Sequence, residues 1–202
     1  MVETARRREI EDVASSLFRE HGYSGTSVRD IARALDIQGA SLYAHVASKQ
    51  DVLWSIVDRT AGRFETAAEM ALVEAAGDAD AGPCGRLRAL VRAHVGVVAE
   101  DIGRASVFVH EWRSLEPDRR AETLRRRDAY ERRFRAVIAE GVETGDFAPI
   151  DPAVAAAYVL TALNGMIAWY RPDGRLDAAS VADAFVELSL RAVTDGPLEV
   201  AS

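Results

Sequence analysis

The 202-residue chain has one cysteine, Cys84, and one lysine, Lys49. A single thiol permits neither a disulfide framework nor a cysteine zinc site, and it suits a reducing compartment. The charged stretch from Met1 to Arg8 lacks the apolar core of a signal peptide, and no run approaches the ~20 apolar residues that span a bilayer. β-Alternation never persists long enough for a strand, and no internal repeat or low-complexity tract interrupts the chain. Catalytic signatures are missing as well: there is no Gly-x-Ser-x-Gly elbow, phosphate-cradling glycine loop or His-Glu-x-x-His pair. None of the four histidines follows a glutamate by three residues, and His110 and Glu111, being adjacent, fall on different helix faces. These absences predict a cytoplasmic, all-α protein without membrane contact, metal, cofactor or catalytic site. An all-α enzyme using Tyr130, His94 or His110 is the weaker alternative.

What is present is a core and an uneven charge distribution. The composition, 49% hydrophobic and 28% charged, can bury one good core or a small domain joined to a larger one. The formal charge of -7 argues at first against a nucleic-acid partner. Residues 1–50, however, carry seven basic and seven acidic side chains, against eighteen and twenty-five in residues 51–202. Arg6, Arg7, Arg8, Arg29, Arg33 and Lys49 can therefore face phosphates, while the acidic bulk suppresses indiscriminate binding.

Helical periodicity organises the amino-terminal third. Ile10, Val13, Ala14, Leu17 and Phe18 share one helix face, and Gly22 stops that helix. Val28, Ile31, Ala32 and Leu35 repeat the pattern behind the capping pair Thr26 and Ser27. Asp36 and Gly39 bracket a tight turn, and Ala40–Val46 forms a short third helix with Leu42 inward. Ser41, Tyr43, Ala44 and His45 are left facing out. Two packed helices followed by a short one with small, hydrogen-bonding outer residues form a helix-turn-helix suited to a DNA major groove.

Ser48 caps a long helix to about Glu74, with Val52, Ile56 and Val57 apolar, and Gly77–Gly85 is expected as a loop. Helices follow over Arg86–Glu100, Arg104–Arg113 and Pro117–Thr144. Asp151-Pro152 is a cap with proline in the first turn, opening a nearly uncharged helix to Tyr170. The last helix, Ala179–Thr194, has two apolar stripes, and one subunit covers only one. The last two helices are expected to pair with their symmetry mates in a four-helix bundle, through Tyr158, Thr161, Gly165, Val181, Phe185 and Leu188.

Gly22-Tyr23, the run Thr26–Ala32, Ser41-Leu42-Tyr43 and Ser48-Lys49 resemble, in order and spacing, the DNA-binding domain of TetR-family transcriptional regulators. The resemblance implies a homodimer with a helix-turn-helix domain over residues 1–48 and an effector-binding and dimerisation domain over 49–202. It also implies that Tyr43, Lys49 and Thr26 or Ser27 touch phosphates. Asp36 stands where a turn glycine is usual and Gly39 where a lysine often stands, which should remove about one phosphate contact. Ala162–Leu176, with its Trp-Tyr-Arg-Pro string, looks similar to the TetR subgroup governing lipid and sterol catabolism, several of whose members respond to acyl-CoA thioesters. Aromatics closing a bundle end would leave the same trace.

The candidate DNA contacts are thus Arg6, Thr26, Ser27, Gln38, Gly39, Ala40, Ser41, Tyr43, Ala44, His45 and Lys49. Gln38 suits adenine and the alanines a thymine methyl, although Gln38 also fits a cap or turn position. An apolar effector site is expected from Val91, His94, Val95, Val98, Phe108, Trp112, Tyr130, Phe134, Val137, Leu163 and Met166. The same side chains would serve to fill a core, and His94 alone reads as a core histidine. Arg125, Arg126, Arg127, Arg132, Arg133 and Arg135 could hold CoA phosphates, but Glu122–Arg126, Asp128–Arg132 and Glu131–Arg135 also fit i,i+4 pairing on a solvated face. The expected function is repression of transcription released by a hydrophobic molecule such as an acyl-CoA or lipid metabolite. A TetR-like efflux regulator answering lipophilic drugs and a DNA-binding adaptor controlled by a protein are the alternatives.

Overall fold

A computed structural model describes residues 5–78 and 81–194. Its described residues form helices and no strand: α1 (Ala5–Gly25), α2 (Val28–Ala34), α3 (Gly39–Tyr43), α4 (Lys49–Ala76), α5 (Gly82–Glu100), α6 (Ile102–His110), α7 (Pro117–Thr144), α8 (Pro152–Trp169) and α9 (Ala178–Thr194), with a 3-10 turn at Trp112–Ser114. The all-α expectation holds. Local chemistry sets most boundaries. Gly22 bends the end of α1 with a φ of +73°, a conformation that favours glycine. Asp151 caps α8 by accepting from the Ala153 amide at 2.8 Å, with Pro152 in the first turn.

Two boundaries differ from the sequence reading. The expected loop up to Gly85 is shorter, because α5 begins at Gly82 with Pro83 preset for its first turn; Ala79 and Asp80 lie outside the described residues. The third helix spans Gly39–Tyr43 instead of Ala40–Val46. Ala44 and His45 continue as a turn, closed by the His45 and Val46 amides donating to the Leu42 carbonyl at 2.9 and 3.1 Å.

Helices pack into two compact units, one of residues up to Gly62 together with Asp101–Arg126, the other of Arg63–Glu100 together with Arg127 onward. In the first, Ile10, Ala14 and Phe18 meet Ile31, Leu42, Leu53 and Ile56 in a sealed core. Helix α6 packs on α1 there. A buried carboxylate, Glu11, helps tie this unit together: the Ser55 hydroxyl donates to it at 2.5 Å, and Arg59, Arg7 and Arg104 lie 3.4, 3.7 and 3.7 Å away. Such a charge is tolerable inside only because its partners surround it.

In the second unit α5 packs against α9, and α8 against both. Leu87, Leu90, Val91, Phe134, Ile138, Leu163 and Met166 are its innermost side chains. Gly141 lets the Phe147 ring lie directly against the α7 backbone, where a Cβ would collide with it. Contrary to the expectation that no segment reaches bilayer-spanning character, α8 is 18 residues long with a mean hydropathy of 1.4. Ala156, Val159, Leu163 and Met166 face into the unit, while only 28% of the stretch as a whole is buried.

Candidate functional site

The helix-turn-helix is built from local hydrogen bonds. Ser27 and Asp30 cap α2 reciprocally: the Asp30 amide donates to the Ser27 hydroxyl at 3.2 Å and the Ser27 amide to the Asp30 carboxylate at 2.9 Å. Hydrogen bonds from Ser27 hold the Asp30 carboxyl below its ordinary range. At the other end, the Ile37 amide donates to the Ala32 carbonyl at 3.0 Å and the Asp36 amide to that of Arg33 at 3.1 Å. This is a Schellman closure in which Asp36 takes the left-handed position with φ of +53°. Asp36 therefore does what the usual turn glycine does, at some steric cost.

Leu42 is fully buried and pins α3 to the core, so its neighbours are directed outward. Gln38, Ala40, Ser41, Tyr43, Ala44 and His45 are all exposed, and Gly39 is half-buried. Gln38 occupies the position before α3 but makes no capping bond, which leaves its amide available. Arg29, Arg33, Asp36 and Gln38 line a shallow groove between α2 and α3. Arg6 is half-buried and donates to Glu9 at 2.6 Å.

Three expected phosphate contacts are already engaged within the protein. Thr26 is buried, its hydroxyl within reach of the carbonyls of Gly22 and Leu17 at 3.0 and 3.3 Å, so it locks the α1–α2 corner instead of facing outward. The Ser27 hydroxyl donates to Asp30 at 2.6 Å. Lys49 donates to the carbonyls of Thr26 and Tyr23 at 2.7 and 2.8 Å and sits over the Tyr23 ring. Burial lowers the Lys49 ammonium pKa. Sequence spacing could not reveal this, because the two carbonyls are backbone groups more than twenty residues away.

The expected effector-lining residues divide between the units. Phe108 and Trp112 belong to the first unit, since α6 packs on α1; both are buried there. Val91, His94, Val95, Val98, Tyr130, Phe134, Val137, Leu163 and Met166 belong to the second. Among these, His94 and Tyr130 form the polar element: His94 Nδ1 and Tyr130 Oη are 3.1 Å apart. Phe64, which the sequence reading passed over, lies against His94 with ring centroids 4.7 Å apart and edge-on to Tyr130 at 5.7 Å. Its position eight residues after the buried Ile56 on α4, in step with Thr60 and Ala68, was the available signal. Burial pushes the His94 imidazole down to about 3, helped by the charge of Arg127, and pushes the Tyr130 phenol up.

On α8 and α9 the expected pairing face is partly free. Tyr158 is 62% exposed and Leu188 61%, Thr161 and Gly165 are exposed, and half-buried Phe185 stacks on exposed Trp169 at 6.1 Å. Val181 departs from the expectation: at 1% exposure it fills its own protomer's core and has no surface left for a partner. Expected pairs on α7 also rearrange. Arg126 bonds Asp58 at 2.6 Å while Glu122 pairs with Arg125, because the first half of α7 lies along α4.

Comparison with known proteins gives this arrangement a family. A model of the bacterial tetR-family regulatory proteins matches residues 10–56, and one of the tetracyclin repressor-like carboxy-terminal domain matches residues 80–193. The chain is 27% identical over 196 residues to the transcriptional repressor KstR2 of Mycobacterium tuberculosis, covering 94% of each chain; KstR2 has also been solved as a ketosteroid transcriptional regulator, with a TM-score of 0.85, 26% identity and coverage of 95% and 96%. PfmR from Thermus thermophilus, a TetR family transcriptional regulator, is 38% identical with a TM-score of 0.78, over 90% of this chain and 97% of that one. AibR, solved in complex with isovaleryl coenzyme A and operator DNA, is 29% identical with a TM-score of 0.77, over 91% and 97%. The exposed α3, the capped helix-turn-helix and the two matched regions lead to one conclusion: this chain belongs to the TetR family, whose members are DNA-binding transcriptional regulators and not enzymes.

Proposed function

We propose that the protein is a cytoplasmic, homodimeric repressor that leaves its operator when a hydrophobic molecule such as an acyl-CoA or lipid metabolite binds the carboxy-terminal region. In this reading residues 1–48 deliver the DNA contact and residues 49–202 sense and dimerise. The observation that carries it is α3, a helix held by one buried leucine with its remaining face bare and free of competing charge. Tyr43, 57% exposed, and His45 flank that face, and Gln38 offers a free amide to base edges. A large apolar patch on a lone protomer argues for a partner surface, which the exposed Val154, Tyr158, Trp169 and Leu188 supply on α8 and α9.

Paired two-fold, the recognition helices would meet successive major grooves about 34 Å apart. Helix α4 is continuous through residues of both units, so a change in its tilt is the covalent route by which ligand alters that spacing. A hundredfold loss of operator affinity needs the ligand to favour the released state by roughly 2.8 kcal/mol. KstR2 as a ketosteroid regulator and AibR with isovaleryl coenzyme A support a lipid-like or thioester effector.

The test combines mass spectrometry of small molecules retained by purified protein with fluorescence anisotropy on duplex from upstream of its own gene. The expected result is tight binding at low salt, a steep salt dependence and release when the retained compound is added back. Binding to no such duplex would overturn the reading.

A further inference from the structure

His94 carries one hydrogen-bonding atom that the protein leaves unused. The side chain is 3% exposed, yet its Nε2 has no partner among the described residues. A neutral imidazole has one N–H and one lone pair, so the bond to Tyr130 decides which of them remains. If the Tyr130 hydroxyl donates to Nδ1, the phenol proton is used and only an Nε2–H donor is left over. If Nδ1–H donates to Tyr130 instead, both the phenol proton and the Nε2 lone pair go unmet. The first arrangement leaves fewer buried groups unsatisfied and so is favoured.

The surroundings restrict what can meet that donor. Phe64 and Phe134 pack around the pair, the latter 5.5 Å from the Tyr130 ring, so the unpartnered Nε2 sits among aromatic rings. We infer that His94 Nε2–H is the specificity group for an uncharged carbonyl oxygen, making the effector an ester, thioester or ketone in preference to a free acid or a plain hydrocarbon. The inference rests on the ligand-responsive reading above and names the chemistry of its effector. A carboxylate would need a cation here, and the imidazole stays neutral in this setting. The nearby cations, Arg127 and Arg133, both have interactions of their own within the protein, Arg133 donating to the Glu65 carbonyl at 2.7 Å. Tyr130 acts through His94, as a positioning residue that fixes the tautomer.

Full-length protein labelled with 15N-histidine is titrated with three probes of matched length: 2-decanone, decane and decanoic acid. Free wild-type protein should show His94 as the Nε2–H tautomer, and the ketone should shift that nitrogen's resonance. The ketone should bind about tenfold or more tighter than the hydrocarbon. His94→Phe should abolish that preference, and His94→Gln, which restores a donor near the same place, should recover part of it. Equal affinity for ketone and hydrocarbon, preference for the acid, an Nδ1–H tautomer or failure of all three probes to bind would each overturn the inference. The broader reading fails differently, as a protein that takes these probes without loosening its DNA in the same sample.

Discussion

The Lys49 ammonium lies 4.0 Å from the centroid of the Tyr23 ring and donates to that residue's own carbonyl at 2.8 Å. One side chain thus fastens the start of α4 to the corner between α1 and α2, through a cation–π contact and two charge-assisted hydrogen bonds. Lys49→Ala should cost about 1–2 kcal/mol of stability, measured by urea unfolding, because it takes the ammonium donor from the part-buried Thr26 carbonyl and leaves the Tyr23 carbonyl with only the Thr26 amide at 3.3 Å. Its weakening of DNA binding should be the same for every duplex. A variant with unchanged stability and weaker DNA binding would reduce Lys49 to a phosphate contact.

Gly39 offers the opposite experiment. A Cβ built on it meets nothing within 4 Å, and it opens α3 beside Gln38. Gly39→Lys should therefore fold normally and add a cation at the start of α3. The log–log salt slope of DNA binding should steepen by about one, with affinity rising alike on specific and random duplex. A slope that does not move would place residue 39 away from the phosphates.

The features legible in the sequence were those written in neighbouring residues. Gly22 as a stop, Ser27 as a cap, Asp151-Pro152 as a helix start and Leu42 as the inward residue of α3 each depend on chemistry within one or two turns. Thr26 differs for the complementary reason: a hydroxyl after a glycine-rich corner looks exposed until the end of α1 folds over it. The two stripes on α9 were visible, but which stripe faces inward depends on α5, and that choice buried Val181. The join between His94 and Tyr130 spans 36 residues and three helices' worth of packing, so periodicity marked both as interior without pairing them.

Acid should expose the buried histidine. With its folded value pushed to about 3 and an ordinary value of 6.5, His94 takes up a proton on unfolding at any pH between them. The unfolded chain then binds more protons than the native one, so stability present above pH 6.5 is lost as the pH falls. Between pH 7 and 5 the loss should be about 2 kcal/mol, at most ~1.4 kcal/mol per pH unit. His94→Phe should flatten this slope in urea titrations over that window. Asp30, Asp51 and Asp177, whose carboxyls are held low by hydrogen bonds, lend stability that is intact above the ordinary carboxylate range and is lost only as the pH falls below it. A variant with the wild-type slope would show that the imidazole reaches solvent in the native state.

The pairing surface can be separated from the core by charge. Tyr158→Asp and Leu188→Asp place a carboxylate on exposed positions of α8 and α9, so each protomer should keep its helicity and thermal transition. Light scattering should nonetheless report a monomer, and DNA affinity should fall steeply because the second half-site no longer binds within one assembly. Val181→Asp buries an unpaired charge and should unfold the second unit instead. A dimer that survives both surface substitutions would move the interface elsewhere.

Sequence readout should concentrate in one side chain next to α3. Gln38 has a free amide because the α3 start does not use it as a cap, whereas Tyr43 offers a phenol at the far end of the same short helix. Gln38→Ala should change which base is preferred at one operator position, by about 1–3 kcal/mol of discrimination, and leave random-duplex affinity nearly intact. Tyr43→Phe should lower affinity for all duplexes together, since a phosphate contact carries no base information. Binding selected from a randomised duplex pool separates the two outcomes, and a uniform loss from Gln38→Ala would transfer the reading role to Ser41 or His45.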